Sequence, residues 1–387
     1  MNSVVFERPS LRQRLRPVFG GFDGPLALAA LLLAVIGLVT MYSAGFDQGT
    51  RVADHVRNLA IALAVLFVTA QVSPHKLQRL ALPLYVVGLA LLVATALPGL
   101  GIAKKGATRW LNVGVVIQPS EMMKVAMPLM LAWWFQKREG QLRALDFLVA
   151  GVLLLLPVAL VARQPDLGTA VLVLASGIYV IFFAGLSWRL VVPALLLGAA
   201  AVAVLALTQD RLCEPGVSWP LLREYQRHRI CTLLDPSTDP LGKGFHIIQG
   251  MIAIGSGGLT GKGFMQGTQT HLEFIPEHTT DFIFAAFGEE FGLAGAVVLL
   301  AAFAFLILRG LMIAAEAPTV FARLLGAAVT MSLFTYAFVN MGMVSGILPV
   351  VGVPLPFVSY GGTAMVSLGL GLGILMSIAR SKRLMPS

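Results

Sequence analysis

The chain has 387 residues, of which 57% are apolar and only 12% charged, and its mean hydropathy is +0.83. Soluble globular domains carry about 25% charged residues, so that class is excluded; 22 Phe among long aliphatic runs exclude disorder. The net charge of +9 would suggest nucleic acid for a soluble protein, but here the basic residues punctuate apolar runs and read as membrane topology, with no nucleic-acid partner expected.

Runs such as LALAALLLAVIGLVTMYSAG do not alternate, which rules out an outer-membrane barrel. The fold class predicted is all-α integral membrane, a single polytopic domain over 1–387. Residues 1–24 form a mostly polar tail, followed by predicted spans at 25–44, 55–72, 80–99, 119–135, 146–162, 168–185, 189–207, 281–308, 322–345 and 359–379. The segments at 119 and 168 are short or interrupted by glycine and proline. The first span has no small-residue cleavage site after it and reads as an uncleaved anchor.

An even number of spans puts both termini on one side. With the ends inside, the inner segments hold fifteen Lys and Arg against six in the short outer segments, the sense of the positive-inside rule. The predicted orientation therefore has cytoplasmic tails, the last over 380–387, and one large outer loop over 208–280. A connection that long is usually functional. Its glycine-dense second half is too apolar for a free linker and reads as amphipathic or re-entrant pieces. GGLTGKG inside it is not a phosphate-binding loop, because Ser256 and Gly263 stand where that motif needs Gly and Ser or Thr. Cys213 and Cys231 lie in this loop, eighteen positions apart. In an oxidising compartment a bridge between them is a candidate, and two free thiols are the alternative.

Ionisable groups in or beside spans are costly and usually face a cavity. Glu121 and Lys124 stand at i and i+3, on one helical face. Arg163 and Asp166 lie between the fifth and sixth spans, and Asp281, Glu289 and Glu290 open the eighth. For Glu121 with Lys124 a structural ion pair is the competing account, and for Asp281 a helix-capping role. Lys104, Lys105, Arg109 and Lys124, with Trp110 among them, give cations at bilayer-surface height suited to a lipid phosphate or diphosphate. Ordinary headgroup contact is the bland reading of the same residues.

Five spaced strings, RWLNVGVVIQPSEMMK, QPDLGTA, GSGGLTGKGFMQGTQT, EFIPEHTTDFIFAAFGEEFG and NMGMVSGILPVVGVPLPFVSYGG, resemble the SEDS family of bacterial peptidoglycan glycosyltransferases over nearly the whole chain. The short tails and the GTQT and LEFIPE wording look more like its RodA-like elongation branch than its division branch. The resemblance implies a ten-span enzyme that polymerises lipid II on the outer face of the bacterial cytoplasmic (inner) membrane. It also implies a class B penicillin-binding protein and other elongation-machinery membrane proteins as partners. The family's essential carboxylate matches Asp281, and the polar positions of its QPSE-x-x-K motif match Ser120, Glu121 and Lys124. Thr279 stands where the family commonly has His, with His278 one place earlier, which puts an essential catalytic imidazole there in doubt and leaves the carboxylate untouched.

The chemistry expected is abstraction of a proton from an acceptor hydroxyl by Asp281 and inverting displacement of a lipid diphosphate. Lys124, Arg109 and Lys105 are the expected cations for the leaving group, with Trp110 beside them. No organic cofactor is expected; a divalent cation, Mg or Mn, held by Asp281 or Glu121 is a candidate. The broken backbone of GILPVVGVPLPFVSYGG is expected to line a cavity, which puts Asn340, Ser359 and Tyr360 near a lipid-binding groove. A lipid II flippase or transporter and a non-catalytic scaffold are the alternatives at this level.

Overall fold

Asp23 begins the fold. Its carboxylate accepts from the Leu26 amide at 3.0 Å, satisfying one of the N–H groups left over at a helix start, and opens α1 (Gly24–Ala44). A computed structural model of the chain describes residues 22–46, 48–97, 100–104, 107–112, 114, 116–214, 217, 219, 224–239, 242–272, 274–275 and 277–383. After α1 come α2 (Arg51–Ala70), α3 (Pro74–Ala96), a small sheet, α4 (Pro119–Gln136), α5 (Ala144–Arg163), α6 (Leu167–Phe183) and α7 (Trp188–Leu207). The loop region holds α8 (Gln209–Leu212), α9 (Glu224–Leu234), α10 (Lys243–Gly257) and α11 (Thr268–His271). The chain closes with α12 (Ile283–Ala315), α13 (Val320–Val344) and α14 (Gly362–Arg383).

Eight of these helices are long and apolar enough to cross a membrane; with α4 and α6 they match the ten expected spans in order. The protein is an all-helical, multi-pass membrane protein. The two segments read as short or interrupted are the two outside the eight: α6 has 17 residues, and α4 carries Glu121 and Lys124 in its first two turns. Both run through the middle of the bundle, packed against α13, so the protein and not lipid surrounds their polar groups. α14 lies close along α2: a Cβ on Gly369 would fall 2.4 Å from the Ala62 carbonyl, the small-residue contact by which membrane helices approach. α7 is the opposite case, with no buried residue along its length.

The sheet was not expected from the sequence. Strands β1 (Gly101–Lys104), β2 (Ala107–Asn112) and β3 (Val116–Ile117) pair antiparallel in the order β1-β2-β3, with Ile102 opposite Trp110. It is a small addition to a helical fold, sitting on the link between α3 and α4.

Contacts between connections sort them into two ends. At one end Gln48 meets His278, Arg109 meets Pro165 and Asp166, and Tyr225 meets Ala162. At the other, Gln136 accepts from the Phe321 amide, Trp134 donates to the Asp146 carbonyl, Arg309 pairs with Asp23 and Lys382 with Glu316. The first group is the set of segments expected outside, and the second the set expected inside.

Candidate active site

Asp281 sits in the turn just before α12, closed by the Thr280 and Phe282 amides, each donating to the Glu277 carbonyl at 3.1 Å. Distant segments hold this turn. Asn340 Nδ2 of α13 donates to the carbonyls of Asp281 at 2.8 Å and Val353 at 2.7 Å. Ser359 Oγ donates to the Thr280 carbonyl at 2.6 Å and accepts from the Leu355 amide at 2.8 Å. The Tyr360 amide donates to the Thr279 carbonyl at 2.9 Å. On the α1–α2 side, Gln48 reaches His278 Nε2 at 3.2 Å and accepts from Thr279 Oγ1 at 3.4 Å. Gly352, at φ +74°, has no side chain to place against the carboxylate; a Cβ there would stand 3.1 Å from Asp281 Oδ2. The backbone is therefore fixed from three sides while the half-buried Asp281 side chain keeps space beside it.

Asn340 and Ser359, expected at a lipid groove, are fully or almost fully buried and hydrogen-bond to backbone groups. They position the Asp281 turn. Tyr360 is half-buried, with the Arg51 guanidinium 4.8 Å above its ring. His278 and Thr279 are both buried and bonded to Gln48, so the unusual Thr occupies a packed structural position.

Glu121 and Lys124 make an ion pair of 2.6 Å, and Lys124 Nζ also donates to Tyr336 Oη of α13 at 2.8 Å. Ser367 Oγ of α14 approaches Glu121 Oε2 at 3.3 Å. Glu121, Asn58, Thr363 and Ser367 form the polar part of a groove of about 580 Å³. The rest of its wall is apolar, with Ile61 of α2, Leu84 and Leu91 of α3, and Leu370 of α14. Glu121 thus belongs to the polar part of an otherwise oily trough between α2, α3, α4 and α14, with Lys124 paired to it from outside the trough's lining.

A third cluster surrounds Asp166, which caps α6 by accepting from the Thr169 amide at 3.2 Å. Gln118 Nε2 donates to Asp166 Oδ2 at 2.9 Å and to the buried Ser120 Oγ at 3.1 Å. Arg109 Nη1 lies 3.7 Å from Asp166, and its Nη2 donates to the Pro165 carbonyl at 3.0 Å. Arg109, expected as a free cation for the leaving group, is therefore partly committed to the α5–α6 turn. Trp110 is half-buried on β2. Lys104 ends β1, and Lys105 lies outside the described residues.

Sequence reasoning missed Gln48, Gln118, Tyr336, Gly352 and Arg229. Arg229 on α9 lies within electrostatic reach of Asp166, Asp281 and Arg109. Each meets its partner from a distant element, so no local pattern announces it. Glu289 and Glu290 are structural: Glu289 pairs with Lys262 at 2.6 Å and accepts from the Gln269 amide at 3.0 Å, while Ser43 donates to Glu290. GGLTGKG is thus a backbone clamp, its Lys262 and Gly263 amides donating to the Glu289 and Glu290 carbonyls at 3.0 Å. A Cβ on Gly261, at φ +80°, would lie 2.0 Å from the Glu290 carbonyl oxygen.

Cys213 and Cys231 are joined in a disulfide with Cα atoms 5.6 Å apart, tying α8 to α9. Among the described residues no three His, Cys, Asp or Glu side chains come together, and Glu121, one of the two carboxylates expected to hold Mg or Mn, is bonded to Lys124 and Ser367.

A family model for cell cycle proteins of the FtsW, RodA and SpoVE type matches residues 25–384. The peptidoglycan glycosyltransferase MrdB of Escherichia coli K12 is 46% identical over 364 residues, covering 94% of this chain and 95% of that one. The stage V sporulation protein E of Bacillus subtilis is 32% identical, covering 92% and 95%. Among solved structures, the rod shape determining protein RodA of Thermus thermophilus superposes with a TM-score of 0.67 at 28% identity, over 93% of this chain and 97% of that one. A chain from a structure of a peptidoglycan synthase complex, solved for how polymerization and crosslinking are coordinated, gives a TM-score of 0.74 at 32% identity, over 93% and 98%.

Proposed function

The chain belongs to the FtsW/RodA/SpoVE family and is a peptidoglycan glycosyltransferase of its RodA type; from that premise we propose that it polymerises lipid II on the outer face of the bacterial cytoplasmic membrane during rod elongation, with Asp281 as general base. The observation that carries the reading is the Asp281 turn, fixed through its backbone by Asn340, Ser359 and Tyr360 while the residue stays partly exposed. A general base must be positioned rigidly and must still be reachable.

An acceptor sugar hydroxyl is far too weak an acid to ionise near neutrality. As its oxygen bonds to the anomeric carbon of the donor, its proton passes to Asp281. The bond from that carbon to the lipid diphosphate breaks, and the leaving group departs with the electron pair. One displacement inverts the α-linked donor to a β-1,4 glycan. The groove of about 580 Å³ suits a polyprenyl tail, because its wall is mostly aliphatic. Lys124, beside its polar part, contributes a positive charge toward a phosphate, as cations do for phosphoryl groups.

A class B penicillin-binding protein is the proposed partner, crosslinking strands as they are made; the complex named for the similar solved chain supports that pairing. The test is polymerisation of lipid II by the purified protein, alone and with that partner. Asp281→Asn keeps the size of the side chain and removes its basicity, and it is expected to lower polymer formation by about 10² or more with unfolding temperature unchanged. Wild-type polymer from the Asn variant would remove the base from Asp281.

A further inference from the structure

Arg229 is a cation within electrostatic reach of Asp281 and Asp166. It lies on α9, whose place is set by three ties: the disulfide from Cys231 to Cys213, the Arg227 Nη1 bond to the Glu214 carbonyl at 3.1 Å, and Tyr225 Oη, 3.5 Å from the Ala162 carbonyl. These hold the helix over the end of the bundle where Asp166 and Asp281 lie. The Arg229 guanidinium sits 5.8 Å from the Tyr225 ring. Among the described residues its buried Nη1 has no hydrogen-bond partner and the guanidinium has no carboxylate within 4.0 Å. Burial pulls its pKa below the usual arginine value, helped by Arg109 and opposed by Tyr225, Asp166 and Asp281.

A buried donor without an acceptor costs free energy, and an arginine is a poor residue to leave in that state unless a ligand supplies the acceptor. The neighbouring cation, Arg109, has both terminal nitrogens tied to Asp166 and Pro165 and only its Nε buried without a partner among the described residues, so Arg229 is the guanidinium with a terminal donor to spare. Its planar fork matches phosphate oxygens in a way lysine cannot.

We propose that Arg229 is a substrate-binding residue that donates from Nη1 to the diphosphate of the lipid-linked donor, holding the scissile bond against Asp281. This rests on the glycosyltransferase reading and adds to it a specific contact from the α9 loop helix. The bound diphosphate supplies the missing acceptor, and the charge that grows on it as the bond breaks strengthens the contact in the transition state.

The test uses the full-length protein in detergent with its disulfide intact. Binding of farnesyl diphosphate, farnesyl monophosphate and farnesol is measured for wild type, Arg229→Gln, Arg229→Lys and Asp281→Asn, beside polymerisation of lipid II and thermal unfolding. Arg229→Gln is expected to weaken farnesyl diphosphate about tenfold or more, the range for a lost hydrogen bond to a charged group, leave farnesol unchanged, and lower kcat along with affinity. Arg229→Lys should recover part of the diphosphate affinity, and Asp281→Asn should bind the diphosphate like wild type while failing to polymerise. If Arg229→Gln binds farnesyl diphosphate as wild type does, or loses farnesol equally, Arg229 is structural and the inference is wrong while the glycosyltransferase reading stands. If wild type forms no polymer with or without the partner, that reading fails and takes this inference with it.

Discussion

Lys124 satisfies Glu121 at 2.6 Å and Tyr336 at 2.8 Å at once, so its removal has two separable effects. Lys124→Met leaves a mostly buried carboxylate without its counter-charge, which costs about 3–5 kcal/mol. The double variant Lys124→Met with Glu121→Gln removes both charges and should recover most of that stability, since buried pairs are often replaceable by neutral groups. Polymerisation should not return with it, because the cation beside the groove is still missing. Thermal unfolding and lipid II polymerisation, run on both variants, separate the roles; recovery of activity in the double variant would reduce the pair to architecture. This pair was legible in the sequence because i and i+3 put both groups on one helical face. Asp281 was legible through the motif around it. Asn340 and Ser359 were visible as polar residues near broken backbone, but not as the residues that grip the Asp281 turn, since their partners lie 59 and 79 positions away. Arg229 carried no signal of any kind: an arginine in a polar loop is ordinary until the fold brings Asp166 and Asp281 to it.

Among the elements, the ten apolar helices were readable because lipid demands about 20 apolar residues per crossing, and the structure differs from the expected ends by a few residues at most positions. The three-stranded sheet was not readable. Its strands have four, six and two residues, too short for an alternating pattern to emerge. The glycine-dense loop was visible as anomalous, and its reason is close backbone approach: α10 packs on α12, and the chain after it hooks onto α12 where Gly292 breaks the helix at φ +62°. A Cβ on Gly257 would fall 2.1 Å from the Gly288 carbonyl oxygen, whereas one on Gly255 meets nothing within 4 Å. Gly257→Ala should therefore destabilise by about 1–3 kcal/mol, as overpacking does, and loosen the loop that leads to Asp281. Gly255→Ala, on the same helix, should be neutral or slightly stabilising, since Ala is the better helix former. Unfolding temperature together with protease cleavage of the 258–280 segment reads both; equal effects from the two substitutions would mean the clamp is not what holds α10.

At the scale of the whole molecule, the two ends differ in kind. One gathers Asp281, Asp166, Arg109, Arg229 and the disulfide, a bond that persists in oxidising compartments. The other gathers the links from Asp23 to Arg309 and from Glu316 to Lys382, with most of the described Lys and Arg outside the large loop. Lys and Arg near span ends favour the cytoplasmic side, so the site end should face outward. The two native cysteines are bridged to each other, which leaves an introduced thiol as the reporter. Glu224, at the start of α9, and Glu139, between α4 and α5, are both exposed. With a membrane-impermeant maleimide on intact cells, Glu224→Cys should label directly and Glu139→Cys only after lysis. Labelling in the opposite sense would invert the protein in the membrane, and with it the side on which lipid II must be presented to Asp281.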